Sequence, residues 1–164
     1  MPILGAGKTA PAFELATTTG ERLSLAKALT RGPVLLAFFK VNCPTCQFTF
    51  PFLERLYSQL REQGVQTWGL VQGSAQDGAR FAAAYGITLP IVVDDSPYKV
   101  SRAYGLEHVP SLFLVRPDGS IELSGDGFCK AELVAIHKSL AQSLSAAPPP
   151  LFLPTEKIPE FKPG

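Results

Sequence analysis

The chain contains little cysteine or histidine, almost no net charge and no long apolar run. Its 164 residues include three cysteines and two histidines, and the formal net charge is +1. So few cysteines do not form the disulfide framework of a small secreted domain. A nearly neutral chain without a basic stripe gives no indication of a nucleic-acid partner. The apolar runs fall well short of the roughly 20 residues that a membrane-spanning helix needs, so we expect no membrane span.

The N-terminal sequence lacks the basic and apolar segments of a secretory signal peptide. We therefore expect a cytoplasmic protein, or a periplasmic one if a signal has been removed. The apolar fraction of 46% is typical of a globular chain. We predict one domain over residues 1–145 and a proline-rich extended tail over residues 146–164, since six prolines fall between Pro148 and Pro163.

Two of the cysteines form a Cys-x-x-Cys sequence, Cys43-Pro44-Thr45-Cys46. It follows the apolar run 34–39, which predicts a central strand covered on both faces, and it begins a helical pattern that reaches about Gly64. The first N–H groups of a helix lack intrahelical partners, and the helix dipole adds positive charge there. Both effects favour the nucleophilic thiolate. One helical turn separates the two sulfurs, so they can close and reopen a disulfide.

Two other interpretations of this sequence remain open at this point. A structural zinc site needs four cysteine or histidine ligands, and only Cys129, His108 and His137 remain as further donors. There is no second Cys-x-x-Cys, so we expect no metal site. The two cysteines could also be inert thiols that pack as small apolar side chains.

The remaining sequence predicts strands that alternate with helices. A turn at Thr19-Gly20 predicts an N-terminal hairpin, and Ser24 is a candidate cap for a short helix. Further strands are predicted over residues 65–71, 89–94, 111–115 and 121–123, and helices over residues 25–29, 44–64, 77–85, 95–104 and 130–144. This order predicts an α/β fold with a central mixed sheet and helices on both faces.

Four segments carry a resemblance to a known family: residues 7–15, residues 38–46, Val109-Pro110-Ser111 and residues 113–119. Over about residues 5–144 the chain resembles the thioredoxin-like redoxin family, within the alkyl hydroperoxide reductase and thiol-specific antioxidant superfamily. The proline-rich tail lies outside the resemblance. The resemblance implies a thioredoxin-like fold, with the N-terminal hairpin and the tail as extensions.

The resemblance also implies roles for individual residues. Cys43 is expected to be the exposed attacking thiol and Cys46 the buried resolving thiol. Val109-Pro110 is expected to be a cis peptide that faces the cysteines and pairs its backbone with a bound substrate. Pro44 and Thr45, between the cysteines, are expected at the substrate-binding surface and to tune the redox potential.

Three positions depart from the family pattern. Ala37 and Thr49 stand where relatives carry the acid that moves protons for the buried thiol, and Asn42 replaces a frequent tryptophan. Lys40 is the nearest charge and could stabilise the Cys43 thiolate, or be a solvated side chain. His108 could tune the site from the adjoining loop.

Cys129 has two interpretations. It precedes the last predicted helix at a position suited to an N-cap residue. Alternatively, it is a third redox thiol that traps Cys43 or pairs with another subunit.

The sequence therefore favours a thiol–disulfide oxidoreductase that works through a mixed disulfide and needs no metal or organic cofactor. Expected partners are a protein or small-molecule disulfide and an electron donor, either a reductase or a low-molecular-weight thiol. The chain is expected to be a monomer or a homodimer. The alternatives are a peroxiredoxin-like peroxidase and a non-enzymatic redox-sensing binding module.

The tail carries large apolar side chains among its prolines, including Phe152, Ile158 and Phe161. Exposing so many apolar groups in a disordered linker is unfavourable. We therefore expect the tail to dock on its own domain or on a second subunit, with Phe152 buried. The alternative is a flexible tail, because chain termini are usually poorly ordered.

Overall fold

The structure is a computed structural model that describes residues 3–142, 144 and 147–164. A hairpin and a short helix come first, then a mixed sheet with its helices, and finally the tail. In chain order the elements are β1 (Glu14–Ala16), β2 (Arg22–Ser24), α1 (Leu25–Leu29), β3 (Val34–Phe39), α2 (Pro44–Leu60), β4 (Gln66–Val71), α3 (Ala75–Tyr85), β5 (Ile91–Val93), α4 (Lys99–Ala103), β6 (Ser111–Val115), β7 (Ile121–Asp126), β8 (Phe128–Cys129), α5 (Lys130–Ala141) and β9 (Phe161–Lys162).

The central sheet has five strands in the order β5-β4-β3-β6-β7. Strands β3, β4 and β5 run parallel, whereas β6 and β7 run antiparallel to their neighbours. β1 and β2 form a separate antiparallel hairpin. The mixed sheet and the N-terminal hairpin confirm the predicted architecture.

Strand β3 forms the centre of the core because all six of its side chains are buried. Successive side chains of a strand point to opposite faces. Leu35, Ala37 and Phe39 belong to the apolar cluster that includes residues of α2, α3 and α5. Its other three side chains join α1, Tyr104 and the half-buried Val100 of α4. Helices therefore cover both faces, as predicted.

The segment after β5 differs from the prediction. Helix α4 begins at Lys99, and Pro97 precedes it in a cis peptide bond with Ser96. The reason is the buried Asp94, whose carboxylate accepts hydrogen bonds from the backbone N–H groups of Val100 at 3.2 Å and Ser101 at 2.8 Å. This carboxylate satisfies N–H groups in the first turn and so stabilises the helix start at that point.

The C-terminal part is extended. The predicted domain boundary at 145/146 and residue 143 of the predicted last helix lie outside the described residues. Residues 147–164 run back over the domain, where β9 pairs antiparallel with β8. Over the described ranges, we find no helix whose length and apolar character would let it span a bilayer.

Candidate active site

The sheet topology brings the two predicted site segments together. The Cys-x-x-Cys sequence follows the carboxyl end of β3, and Val109-Pro110 precedes β6. Because β3 and β6 are antiparallel, with Phe38 opposite Ser111, the end of one strand meets the start of the other at the same sheet edge. The Val109–Pro110 bond is cis, as expected from the resemblance.

Cys43 is the N-cap residue of α2, and Pro44 is the first residue of the helix. The Cys43 sulfur accepts a hydrogen bond from the Cys46 backbone N–H at 3.1 Å. Its S–H group donates to the carbonyl oxygen of Val109 at 3.5 Å. The side chain is half-exposed. A helix N–H and the positive end of the helix dipole stabilise negative charge on this sulfur, so it is both accessible and suited to act as a thiolate.

Cys46 lies one turn further on and has no exposed surface. Burial raises the pKa of the Cys46 thiol well above its usual range, and the hydrogen bond and the charge of Cys43 raise it further. A backbone hydrogen bond from Lys40, together with the Lys40 charge, opposes this shift. Cys46 is therefore a protonated, sheltered thiol beside an accessible one.

Hydrogen bonds fix the loops around the two sulfurs. The Gln47 side-chain amide donates to the Val41 carbonyl at 3.0 Å, which holds the loop before Cys43. The Ser111 hydroxyl donates to the His108 carbonyl at 2.6 Å, which holds the loop before Pro110. Such contacts keep reacting groups in place without help from the substrate.

The candidate tuning residues lie in different positions. Lys40 is exposed at the end of β3 and lines a cavity of about 420 Å³ that also includes His108 and Val109. The imidazole of His108 is exposed, and its Nδ1 lies 3.3 Å from the Asp126 carboxylate. The loop backbone of His108 thus belongs to the site, whereas its ring faces the β7 end.

Cys129 occupies the N-cap position of α5, as predicted, although its side chain makes no capping hydrogen bond. It lies in β8, opposite Phe161 of the neighbouring strand β9, and is half-buried. None of the three cysteines, all within the described ranges, is in a disulfide.

The tail reaches the site, which the sequence analysis did not predict. The Thr45 hydroxyl donates to the Pro163 carbonyl at 2.6 Å. The backbone of Gly164 lies against the carbonyl of Val109, so closely that an added Cβ would come within 2.3 Å of that oxygen. The apolar content of the tail indicated docking, but no sequence pattern indicated the register that brings its last residues to Thr45.

The docked tail also buries a different side chain from the expected one. Leu151 is buried, whereas Phe152 is half-buried, with its ring centroid 5.0 Å from that of Phe52. The Leu151 carbonyl accepts a hydrogen bond of 2.8 Å from Arg55 of α2.

A helix N-terminal Cys-x-x-Cys that faces a cis-proline loop at the edge of such a sheet defines a redox protein of the thioredoxin-fold class. The sequence model of the AhpC/TSA family matches residues 6–124. The chain belongs to that family.

Individual proteins agree with this classification. The chain is 31% identical to the thiol-disulfide oxidoreductase ResA of Bacillus subtilis over an alignment of 116 residues. The alignment covers 70% of this chain and 64% of ResA. The chain thus spans somewhat less than two thirds of that relative's length.

Two solved structures share the fold. One is assigned as the thiol:disulfide interchange protein DsbE of Chlorobium tepidum, with a TM-score of 0.74, 25% identity, and coverage of 84% of this chain and 96% of that one. The other is a secreted disulfide oxidoreductase of Mycobacterium tuberculosis, with a TM-score of 0.63, 20% identity, and coverage of 76% and 92%. At 20% identity, the similarity to the M. tuberculosis structure shows a shared fold and nothing more.

Proposed function

We propose that this protein is a thiol–disulfide oxidoreductase in which Cys43 attacks a substrate disulfide and Cys46 resolves the mixed disulfide. The contrast within one helical turn is the main support. Cys43 is partly exposed and its sulfur accepts a helix N–H, while Cys46 has no exposed surface. An attacking thiol must meet its substrate, whereas a resolving thiol has only to meet its neighbour.

In the first step, the Cys43 thiolate forms a bond to one sulfur of the substrate disulfide. The substrate S–S bond breaks, and its other sulfur leaves with the electron pair and takes a proton from water. The Cys46 N–H, 3.1 Å from the Cys43 sulfur, holds the thiolate before attack. Val109, whose carbonyl lies 3.5 Å from that sulfur, offers backbone groups beside the incoming chain.

The surroundings of Cys46 favour its reaction only after Cys43 has bonded to the substrate. The hydrogen bond and charge of Cys43 are two causes of the raised pKa of Cys46, after burial. Once Cys43 is bonded to the substrate it carries no charge, so these two causes disappear and Cys46 loses its proton more readily. The Cys46 thiolate then attacks the Cys43 sulfur, and the substrate leaves as a thiol while a Cys43–Cys46 disulfide forms.

A second reaction must return two electrons to the disulfide. A reductase or a low-molecular-weight thiol supplies them by the same exchange in reverse. Neither half of the cycle requires a metal ion or an organic cofactor, because both steps transfer electrons between sulfur atoms.

For the compartment, we propose a location outside the cytoplasm. The cytoplasmic location expected from the sequence has no support among the relatives. Cell fractionation with the full coding sequence tests this: recovery of the protein with cytoplasmic markers would contradict it.

The test of the activity is turnover of insulin disulfides and of hydrogen peroxide, in the intact protein and in Cys43→Ser and Cys46→Ser. We expect insulin reduction that Cys43→Ser abolishes. Peroxide consumption that depends on Cys46 would instead indicate a peroxidase. Failure of both reactions would leave the redox-sensing binding module as the better account.

A further inference from the structure

The docked tail has two parts that differ in how firmly they are held. We call residues 151–156 the tail root and residues 160–164 the tail tip. In the root, Arg55 donates to both carboxylate oxygens of Glu156, at 2.8 and 3.1 Å, and also to the Leu151 carbonyl at 2.8 Å. Leu151 is 2% exposed. The Arg55–Glu156 ion pair and the buried Leu151 side chain therefore hold the root tightly against the domain.

The tail tip is held through its backbone, by an ion pair of 3.8 Å between Lys130 and Glu160, and by one cation–π contact. The N–H of Lys130 donates to the Glu160 carbonyl at 2.9 Å, and β9 pairs with β8 over two residues on each strand. The Phe161 side chain is 57% exposed. The Lys162 ammonium lies 4.7 Å from the centre of the Phe48 ring. The tip therefore buries little apolar surface and separates from the domain more easily than the root.

The tail tip lies across the surface that a substrate has to approach. Thr45, between the two cysteines, donates to the Pro163 carbonyl. The backbone of Gly164 contacts the same Val109 carbonyl that lies 3.5 Å from the Cys43 sulfur. Cys43 nevertheless stays half-exposed with the tip in place. The tip thus occupies the Thr45 hydroxyl and the Val109 carbonyl beside the sulfur, while Cys43 itself stays partly exposed.

We propose that the surface formed by β8, Thr45 and Val109 is the docking surface for an extended segment of substrate polypeptide, and that the tail tip competes for it. This proposal rests on the proposed function of Cys43. The observed occupant supplies the argument, since an extended stretch of this chain already adds to β8 as a strand and meets Thr45 and Val109. Strand addition of this kind recognises the backbone and tolerates many sequences.

The competition makes the tail tip a determinant of specificity. A polypeptide disulfide needs the covered surface, so its apparent affinity falls in proportion to the fraction of molecules with the tip released. A small disulfide needs only the exposed sulfur and reacts with the tip in place. The intact protein therefore favours small disulfides over polypeptides, relative to a form without the tip.

The test compares the intact protein with a variant that lacks the tail tip, residues 160–164, and keeps the tail root with its Arg55–Glu156 pair as well as Ile158, which packs against the core. Alkylation of Cys43 is followed with iodoacetamide and with a short extended peptide that carries a chloroacetamide at its middle. We expect truncation to raise the rate of the peptide reagent about tenfold if the tip is released in roughly one molecule in ten. The rate with iodoacetamide should change by less than about twofold, because the sulfur is already half-exposed.

Leu153→Ala is the matched control, because this exposed root residue lies away from the tip; it should leave both rates unchanged. A synthetic peptide of residues 160–164, added to the truncated variant, should slow the reaction with the peptide reagent again and leave the reaction with iodoacetamide unchanged. Equal rates for intact and truncated protein would overturn the proposal, as would an equal acceleration with both reagents. Alkylation needs no disulfide turnover, so failure of the insulin assay would refute the proposed function and leave this result standing.

Discussion

The outer and inner sides of the first turn of α2 give one residue type two different environments. On the outer side, Cys43 is partly exposed and its sulfur accepts a hydrogen bond from the Cys46 N–H at 3.1 Å. On the inner side, Cys46 packs in the apolar core, and burial is the largest cause of its raised pKa. The N-cap position places Cys43 outside the helix proper, while the helical turn directs Cys46 inwards. A separation of three residues thus gives the proposed nucleophile and the proposed resolving thiol different surroundings.

Among the substitutions that test the difference between the two thiols, Cys46→Ser should have the largest effect on turnover. The outer thiol would still attack, but no inner thiol could release the substrate. We expect the variant to accumulate a stable mixed disulfide between Cys43 and the substrate protein. Non-reducing electrophoresis and mass spectrometry measure it, with Cys43→Ser as the control that forms no adduct. Normal turnover by Cys46→Ser without an added thiol would show that another group resolves the intermediate.

The next effect concerns the stability of the reduced protein at high pH. The pKa of Cys46 is raised in the folded state, so above the ordinary thiol pKa of about 8.5 the unfolded chain releases this proton while the folded chain keeps it. Deprotonation then favours the unfolded state, and stability falls as the pH rises, by at most about 1.4 kcal/mol per pH unit.

Urea unfolding of the reduced protein between about pH 8 and 10 measures this loss. The buried Tyr104, whose pKa burial also raises, adds a similar loss only above about pH 10. Cys46→Ser should therefore remove the part of the slope that begins near pH 8.5. An unchanged slope in that variant would contradict the assignment of the effect to the inner thiol.

A smaller effect is expected for Lys40→Met. The Lys40 charge lowers the pKa of Cys46 and so favours the thiolate that resolves the mixed disulfide. Because the side chain is exposed, solvent screens its charge, and we expect resolution to slow by only about twofold. Rapid-mixing measurement of substrate release tests this, with Lys27→Met on α1 as the control. A faster release in Lys40→Met would give the charge the opposite role.

The smallest effect is expected for Cys129→Ser. Cys129 lies at the N-cap of α5, and serine suits that position at least as well. We expect unchanged insulin reduction and an unchanged midpoint potential for Cys43–Cys46. A shift of that potential, or loss of turnover, would instead establish Cys129 as a third redox thiol.

Local sequence patterns predicted much of the fold and the position of the two cysteines. Six consecutive apolar residues, 34–39, are enough to indicate a buried central strand, and Ser24 caps α1 as expected. These features depend on neighbours within a few residues. By contrast, the start of α4 depends on the Asp94 carboxylate, which lies several residues before the helix.

The tail shows why the rest was not predicted. Strands β8 and β9 have two residues each and lie more than thirty residues apart, too short for any periodic pattern. Their pairing depends on where the tail root is held by Arg55. Leu151, rather than the larger Phe152, is the buried anchor, and its carbonyl accepts a hydrogen bond from Arg55. Such choices are set by tertiary contacts and not by local propensity.

The most direct test of the division between the two thiols is the relative alkylation rate of Cys43 and Cys46. The reduced protein is treated with a limiting amount of iodoacetamide at near-neutral pH, and the modified positions are mapped by mass spectrometry at increasing times. The account predicts that Cys43 is modified first and that Cys46 stays unmodified while the protein is folded. Modification of Cys46 at an equal or greater rate would contradict the account and return attention to a peroxidase built on the inner thiol.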